Sequence, residues 1–361
     1  MKIQFTQLAA LPAGLKNGVG FSHIVSSDIS TEVIYAGLGS LGQQWLSFDM
    51  DGGSDWQAKA PFPGVARNDA VCIPVEGGCY VFSGAGVAEG GDYTTVLDDG
   101  YYYDCQQDSW QQVAMTTPVG LLGGVGFALD SDNLAFVGGY NKAVFDGLMA
   151  QLNEPLIAND ADAKQACLVQ FMSQSIDDYQ WNDKVYGYQL STQQWHVIAN
   201  NPFQANCGAG VFRHGDRLTL VEGEVKPGLR SLHSKQLQFK EGKVVESMYL
   251  PSIHDLHPSH EGVAGAYCGE LNGQWIVAGG AFFIGSQHKY QQGQWYSHQG
   301  LSKTFDSKVW CFDGAKWQHI ADLPQGCAYG VAMTTKQGMI VVGGESAQGE
   351  AMTECYLAQV E

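Results

Sequence analysis

The chain has 361 residues, of which 45% are hydrophobic and 16% are charged, and its formal net charge is −18. A surface this acidic disfavours non-specific binding to nucleic acids and to anionic membranes, so we expect neither as a partner. The 46 glycines are about twice the usual share of roughly 7%, without a collagen period or a low-complexity tract, which indicates many tight turns.

The N-terminal segment, residues 1–8, has no continuous apolar region, so it does not resemble a signal peptide. No stretch approaches the roughly 18 consecutive apolar residues of a transmembrane helix. The nine cysteines are scattered singly, and an odd number cannot all pair within one chain. We therefore expect a cytoplasmic location, or a periplasmic one if the start of the chain was trimmed.

Three sequence signals recur six times along the chain. Apolar runs that end in a glycine-containing pair predict strands at residues 33–37, 80–84, 135–139, 219–223, 276–280 and 340–344. An aromatic residue precedes a proline by seven positions at Phe5/Pro12, Trp56/Pro63, Trp195/Pro202 and Trp317/Pro324, with Trp110/Pro118 one residue longer and Val244/Pro251 lacking the ring. After each proline, small residues such as Gly18-Val19-Gly20 open a further strand.

Each repeat unit therefore predicts four strands, and six such units close a β-propeller. The diglycine and tryptophan pattern resembles kelch repeats over the full length of the chain. The predicted fold is all-β: one six-bladed kelch-type propeller domain over residues 1–361. The predicted blades cover residues 18–60, 67–117, 120–201, 207–250, 262–323 and 327–357.

The strand around Phe5 has no partner before it, and the last blade lacks an outer strand. We predict that residues 3–9 complete the last blade. This pairing would close the ring and remove two free sheet edges.

Propeller topology assigns each loop to one of two faces. The loop with Arg67 connects two blades, and the segment with Glu224, Lys226 and Arg230 follows the second strand of the fourth blade, so these residues are predicted to share one face. Arg213 and Arg217 flank a turn between a first and a second strand. They are predicted to lie on the opposite face, in solvent.

Two long insertions, at residues 140–183 and 281–306, are predicted over the face with Glu224. In the first, the apolar spacing predicts a helix over residues 158–173. The second is rich in aromatic, amide and imidazole groups, which suit a sugar-like ligand, although such a loop could also pack on itself.

We expect no metal and no cofactor. His254, His257 and His260 are spaced in threes, but no carboxylate or cysteine follows at a fixed ligand spacing.

Several segments resemble the N-acetylneuraminate epimerases, the kelch-propeller sialic acid mutarotases of bacteria. The clearest are residues 35–40, 62–64 before Arg67, 223–230, 262–265 and 328–331. The resemblance runs nearly end to end and implies conversion of α-N-acetylneuraminate to its β-anomer. It also implies that Glu224 is the proton acceptor and that Arg230 binds substrate.

Chemistry supports this interpretation independently. Opening a hemiketal ring needs a base for the anomeric hydroxyl proton and an acid for the ring oxygen. The substrate carboxylate needs a planar, two-pronged cation, for which Arg230 and Arg67 are the candidates, with Lys226 as a further substrate-binding residue. The alternatives are a kelch interaction scaffold without catalysis and another sugar-active propeller enzyme. A homodimer is left open.

Overall fold

The computed structural model describes residues 1–25 and 31–361. Six four-stranded antiparallel sheets form the blades of a propeller, which confirms the predicted fold. The first five blades contain, from the axis outwards, Val19–Ile24, Glu32–Gly37, Trp45–Asp49 and Gln57–Ala58; Val71–Val75, Gly78–Phe82, Gly100–Asp104 and Ser109–Gln112; Val125–Ala128, Asn133–Val137, Lys184–Gln189 and Gln194–Asn200; Gly210–His214, Arg217–Val221, Ser234–Lys240 and Lys243–Leu250; and Tyr267–Leu271, Gln274–Ala278, Lys308–Phe312 and Trp317–Asp322.

The sixth blade joins the two ends of the chain. Its strands Val331–Thr335, Gly338–Val342 and Cys355–Val360 are completed on the outside by Ile3–Gln7. The pairing is antiparallel, from Ile3 opposite Val360 to Gln7 opposite Tyr356. The predicted closing strand is therefore confirmed.

The outer-strand tryptophans explain why an aromatic residue recurs in the repeat. In three blades the indole N–H donates a hydrogen bond to a carbonyl of the preceding blade or its exit loop. These bonds join Trp56 to Ala9 (3.1 Å), Trp110 to Ala60 (2.9 Å) and Trp317 to Pro251 (2.9 Å). Each ring thus fills the gap between blades and satisfies its own polar group.

Two diglycine pairs carry a polar residue in place of the first glycine, and both polar residues connect neighbouring blades. Ser83 and Glu222 adopt positive φ angles of 57° and 55°. The Ser83 hydroxyl accepts a hydrogen bond from the N–H of Leu121 at 2.9 Å. The Glu222 carboxylate contacts His260 at 2.8 Å and accepts from the N–H of Val263 at 2.6 Å. Burial lowers the pKa of His260, but the charge and hydrogen bond of Glu222 outweigh it, so the pKa of His260 is raised.

A closed ring of backbone hydrogen bonds surrounds the central axis. One residue from the entry to each blade donates its N–H to the carbonyl of its counterpart in the preceding blade, at N–O distances of 2.7–3.0 Å. All six residues have positive φ angles, between 52° and 67°. They are Asn17, Asp69, Gly123, Gly208, Gly265 and Tyr329. We call this set the axial ring.

The remaining elements lie mainly in connections between second and third strands. In blade three this connection contains the helices Lys142–Asn153, Pro155–Ala158 and Ala161–Met172 and the 3₁₀ turn Asp177–Tyr179. The helix predicted over 158–173 is present as Ala161–Met172. Lys142–Asn153 was not predicted, although Val144, Leu148 and Leu152 have helical spacing and the Asn141 side chain caps it, accepting from the N–H of Val144 at 3.1 Å.

Three two-stranded ribbons extend blades two, four and five on the same face. They are Ala85–Val87 with Thr94–Val96, Glu224–Lys226 with Leu229–Arg230, and Ala281–Phe283 with Lys303–Phe305. The last ribbon carries the helix Ser286–Gln291, and the short helices Gly39–Leu41 and Ile253–Leu256 lie in other loops. No helix in the described part of the chain is long and apolar enough to cross a membrane.

Removing residues 1–9 should destabilise the propeller, because it deletes the outer strand of blade six and exposes the edge at Cys355–Val360. With each lost hydrogen bond contributing about 1 kcal/mol, we expect a loss of at least roughly 3 kcal/mol in the free energy of unfolding, measured by urea denaturation, or aggregation on size-exclusion chromatography. Deletion of Met1 alone is the control, since Met1 precedes the paired strand and contributes none of its backbone hydrogen bonds. Unchanged stability after the longer deletion would contradict this closure.

Candidate active site

A central pocket of about 480 Å³ lies above the axial ring. All six ring residues line it, so the ring forms the floor. The volume is in the range of roughly 300–1,000 Å³ that is typical of small-molecule sites. The pocket faces the same side as the ribbons and the two insertions.

The wall of the pocket comes from a second repeated position, the residue that directly follows each diglycine pair. Ala85, Tyr140, Glu224 and Glu345 occupy this position and line the pocket. Backbone hydrogen bonds join it to the residue that precedes the axial ring, as between Glu224 and Cys207, with N–O distances of 2.7 and 3.0 Å. Side chains from different blades are thus fixed around one small volume.

Glu224 and Arg230 lie opposite each other on the two strands of one ribbon. They therefore share one face of the propeller, as the sequence predicted. The Arg230 side chain is only 1% exposed, and its Nε donates to the Ala281 carbonyl at 2.9 Å. The guanidinium also stacks on the Phe283 ring, 5.1 Å from its centre. Nη1 lies 2.9 Å from Glu224 Oε1, but the angle is not that of a hydrogen bond, and no described residue accepts its protons.

The turn between these two residues requires glycine at position 228. Gly228 has a φ of 81°, and a Cβ there would lie 1.7 Å from Nδ1 of His298 in the second insertion. Its N–H points to Glu224 Oε1 at 3.3 Å. Burial, with the charges of Arg230 and nearby lysines, lowers the pKa of His298 to about 4, so a neutral imidazole packs against the turn.

Lys226 lies behind the pocket and joins the two insertions. Its buried ammonium donates to the carbonyls of Met172 at 3.2 Å, Gln174, and Trp295 at 2.7 Å. Burial lowers its pKa to about 8. Its role in substrate binding stays a prediction, and these contacts favour a positioning role, because all three donors are used within the protein.

Arg67 is also buried and lies outside the pocket lining. Its guanidinium forms a two-pronged ion pair with Asp99 at 2.5 and 3.0 Å and donates to the carbonyls of Val65 and Ser83. It stacks over Phe62 at 4.7 Å. Substrate binding by Arg67 likewise stays a prediction, while the observed contacts stabilise the loop between blades one and two.

Three residues of the pocket lining that the sequence analysis did not predict carry carboxyl or amino groups. They are Asp69, Lys303 and Glu345. Glu345 forms an ion pair with Lys303 at 3.0 Å. Asp69 belongs to the floor, where burial, followed by the charges of Glu224 and Glu345, raises its pKa to about 7. An alignment of the six repeats would have found both acidic residues, since each replaces a glycine or small residue at one of the two repeated pocket positions.

A larger cavity of about 700 Å³ lies on the opposite face, between blades three and four. Arg213 and Arg217 line it, as expected from their turn, together with Asp130, Asp216 and Glu241. The two arginines are exposed and alternate with carboxylates. This cavity therefore lacks a buried ion pair like that of Glu224 and Arg230 beside the central pocket.

The three spaced histidines do not converge. His260 contacts Glu222, His254 approaches the His260 carbonyl at 3.2 Å, and His257 contacts Ser259. Within residues 1–25 and 31–361, no group of three His, Cys, Asp or Glu side chains is arranged to hold a metal ion.

Comparison with known proteins gives a consistent result. The family described as N-acetylneuraminate epimerase matches residues 8–361. A Kelch domain-containing protein of Vibrio cholerae is 42% identical over 98% of both chains, and an N-acetylneuraminate epimerase of the same species is 35% identical over 96% of this chain and 89% of its own. The solved structure titled "Structure of YjhT" superposes with a TM-score of 0.89, at 32% identity, and covers 98% of this chain and 97% of its own.

Replacing Lys226 with methionine should loosen both insertions. Methionine keeps the apolar stem but leaves three carbonyls without their donor, and a buried unsatisfied group costs about 1–3 kcal/mol. We expect faster amide hydrogen exchange in residues 161–179 and 286–299, with little change in the outer strands. Lys235→Met is the matched control, because Lys235 is buried but makes one long contact, 3.4 Å to the Gln204 carbonyl. Equal exchange in both variants would contradict the role assigned to Lys226.

Proposed function

Because the chain belongs to the N-acetylneuraminate epimerase family, we propose that it interconverts the α- and β-anomers of N-acetylneuraminate. Glu224 is the proton acceptor and Arg230 binds the substrate carboxylate. The reaction is an isomerisation by ring opening and closure, and it needs no cofactor.

The ion pair of Glu224 and Arg230 carries this proposal. Glu224 lines the central pocket, and the buried Arg230 guanidinium lies directly behind it, with Nη1 2.9 Å from Glu224 Oε1. An anionic sugar bound in this pocket would bring its carboxylate towards this cation, next to a carboxylate that can act as a base.

The chemistry follows from these two groups. The anomeric carbon of a sialic acid carries a carboxylate and a hydroxyl group. With the carboxylate held by the planar guanidinium, the hydroxyl on the same carbon lies within reach of a neighbouring base. Removal of its proton starts ring opening, and positioned proton transfer of this kind typically accelerates a reaction about 10²–10⁴-fold.

An interaction scaffold without catalysis is the less favoured alternative. In that case Glu224 and Arg230 would form a solvated surface pair. The Arg230 side chain is 1% exposed and Glu224 is half-buried, so the pair is not solvated, and Glu224 lines a cavity. Such a cavity suits a small molecule better than a protein surface.

We also propose a reducing, cytoplasmic location, which the nine unpaired cysteines support. The absence of nucleic-acid and membrane partners stays a prediction from the sequence, and a homodimer stays open.

Glu224→Gln should lower the catalysed anomerisation rate by about 10²-fold or more, because the amide keeps the size of the side chain but has no basic oxygen. The measurement is NMR of freshly released α-N-acetylneuraminate, with and without protein. Glu222→Gln is the matched control: Glu222 is fully buried against His260, so it should affect stability more than rate. A normal rate in Glu224→Gln with a slow Glu222→Gln would move the base to Glu222.

Arg230→Lys should raise KM for N-acetylneuraminate about tenfold or more, since an ammonium cannot make the two-pronged contact with a carboxylate. The same NMR assay, run over a range of substrate concentrations, measures this. Neutral galactose, which lacks the carboxylate, should be turned over poorly by the unmodified protein. Equal mutarotation of both sugars would refute selection for an anionic substrate.

A further inference from the structure

Ring opening needs a proton donor as well as a base, and Glu224 can serve as only one of these in a given step. Within the described chain, the pocket lining contains six other titratable side chains. They are Asp69, Tyr140, Cys207, Lys303, Tyr329 and Glu345.

Five of these six are weaker candidates for the proton donor. Burial raises the pKa of Tyr140, Cys207 and Tyr329 well above the ordinary range of such groups, so each holds its proton too firmly. Lys303 and Glu345 form an ion pair with each other at 3.0 Å. Each of these two side chains is therefore held by the other within the protein.

Asp69 is held firmly by its backbone and is free at its side chain. Its N–H donates to the Asn17 carbonyl at 2.9 Å, and its carbonyl accepts from the Gly123 N–H at 3.0 Å. The side chain lines the pocket and is partly exposed there. Its carboxyl group has no hydrogen bond or ion pair with any described residue, so both oxygens remain available to a ligand.

The left-handed backbone conformation of Asp69 also supports a functional role for this residue. A φ of 52° is unfavourable for most residues, and such strained positions cluster at functional sites. In three blades glycine satisfies this requirement of the axial ring without strain. An acidic residue at this position therefore places a carboxyl group at the floor with no structural need for its charge.

The surroundings of Asp69 favour its protonated form. Burial and then the charges of Glu224 and Glu345 raise its pKa to about 7. The nearby cations are Lys303, which lines the pocket and is paired with Glu345, and Arg230, which lies behind the lining and is close to Glu224. A carboxyl group with a raised pKa that shares a site with a second carboxyl group is the pattern of an acid–base pair.

We propose that Asp69 is the general acid that protonates the ring oxygen, an inference that rests on the proposed function. Glu224 takes the proton of the anomeric hydroxyl, and the electron pair left on that oxygen forms the carbonyl. The bond between the anomeric carbon and the ring oxygen breaks, and the ring oxygen takes the proton of Asp69. The product is the open-chain keto acid, with Glu224 protonated and Asp69 ionised.

Ring closure reverses both transfers. After rotation about the carbon–carbon bond next to the carbonyl, the hydroxyl oxygen attacks the other face and gives its proton to Asp69. The carbonyl oxygen takes the proton from Glu224. Both carboxyl groups return to their starting states, and no other reactant is needed.

Asp69→Asn is the sharpest test, because asparagine has the same shape and tolerates positive φ, so the axial ring is kept. We would measure kcat/KM for α-N-acetylneuraminate by NMR from about pH 5 to about pH 9, subtracting the uncatalysed rate. In the unmodified protein kcat/KM should fall as the pH rises through about 7, where Asp69 loses its proton. The variant should be slower by about 10²-fold at low pH and should lack this fall. Affinity for N-acetylneuraminate, measured by calorimetry, should change little.

Two further variants complete the test. Glu345→Gln should move the alkaline fall to lower pH, because the lost negative charge no longer raises the pKa of Asp69. If asparagine disturbs folding, Asp69→Gly provides the same test, because glycine also favours the conformation of the axial ring. We expect the same slower rate and the same loss of the alkaline fall. The inference about Asp69 alone would be overturned if the unmodified protein accelerates the reaction and both Asp69 variants keep either its rate or its alkaline fall. No acceleration by the unmodified protein would overturn the proposed function with it.

Discussion

Six backbone hydrogen bonds pass from blade to blade around the propeller axis, and each requires a residue with a positive φ angle. Glycine meets this requirement in three blades, and Asn17, Asp69 and Tyr329 meet it in the others. Because the bonds form a closed circle, the entry segments of all six blades are fixed relative to one another. The ring also gives hydrogen-bond partners to backbone N–H and C=O groups that would otherwise have none at the centre of the molecule. It therefore provides both the closure of the fold and a rigid floor for the pocket.

The same constraint sets where chemistry is able to occur. Two repeated positions face one cavity: the residue of the axial ring, and the residue that follows each diglycine, which is held by backbone hydrogen bonds to the residue before the ring. Most blades place small or apolar side chains there. Glu224, Glu345 and Asp69 are the acidic exceptions, and the cations Arg230 and Lys303 approach from neighbouring ribbons. A protein of net charge −18 thus combines carboxyl groups and cations in one site. The distances between these groups, rather than their number, set the energies of their interactions.

Buried charges away from the pocket show how the surrounding shell is held. Lys226 gives all its donors to carbonyls of the two insertions, and Arg67 gives most of its donors to Asp99 and nearby carbonyls. Glu222 is buried against His260 in the same manner. These contacts satisfy charges that would be costly to bury alone, and they keep the loops around Glu224 and Arg230 in place. Such support is what a precise acid–base site requires.

The sequence by itself determined the blade count, the closing strand at Ile3–Gln7, and the shared face of Glu224 and Arg230, because these depend on periodic spacing and on the alternation of loops along a repeated chain. It did not determine what each charged side chain contacts. Arg67 and Arg230 looked alike as loop arginines, yet Arg67 pairs with Asp99, whereas Arg230 pairs with Glu224, which lines the pocket. Likewise, Asp69 and Glu345 are far apart along the chain and meet only because the axial ring brings all six blades to one centre. Which side chains contact each other depends on the closure of the propeller, and no local sequence pattern encodes these contacts.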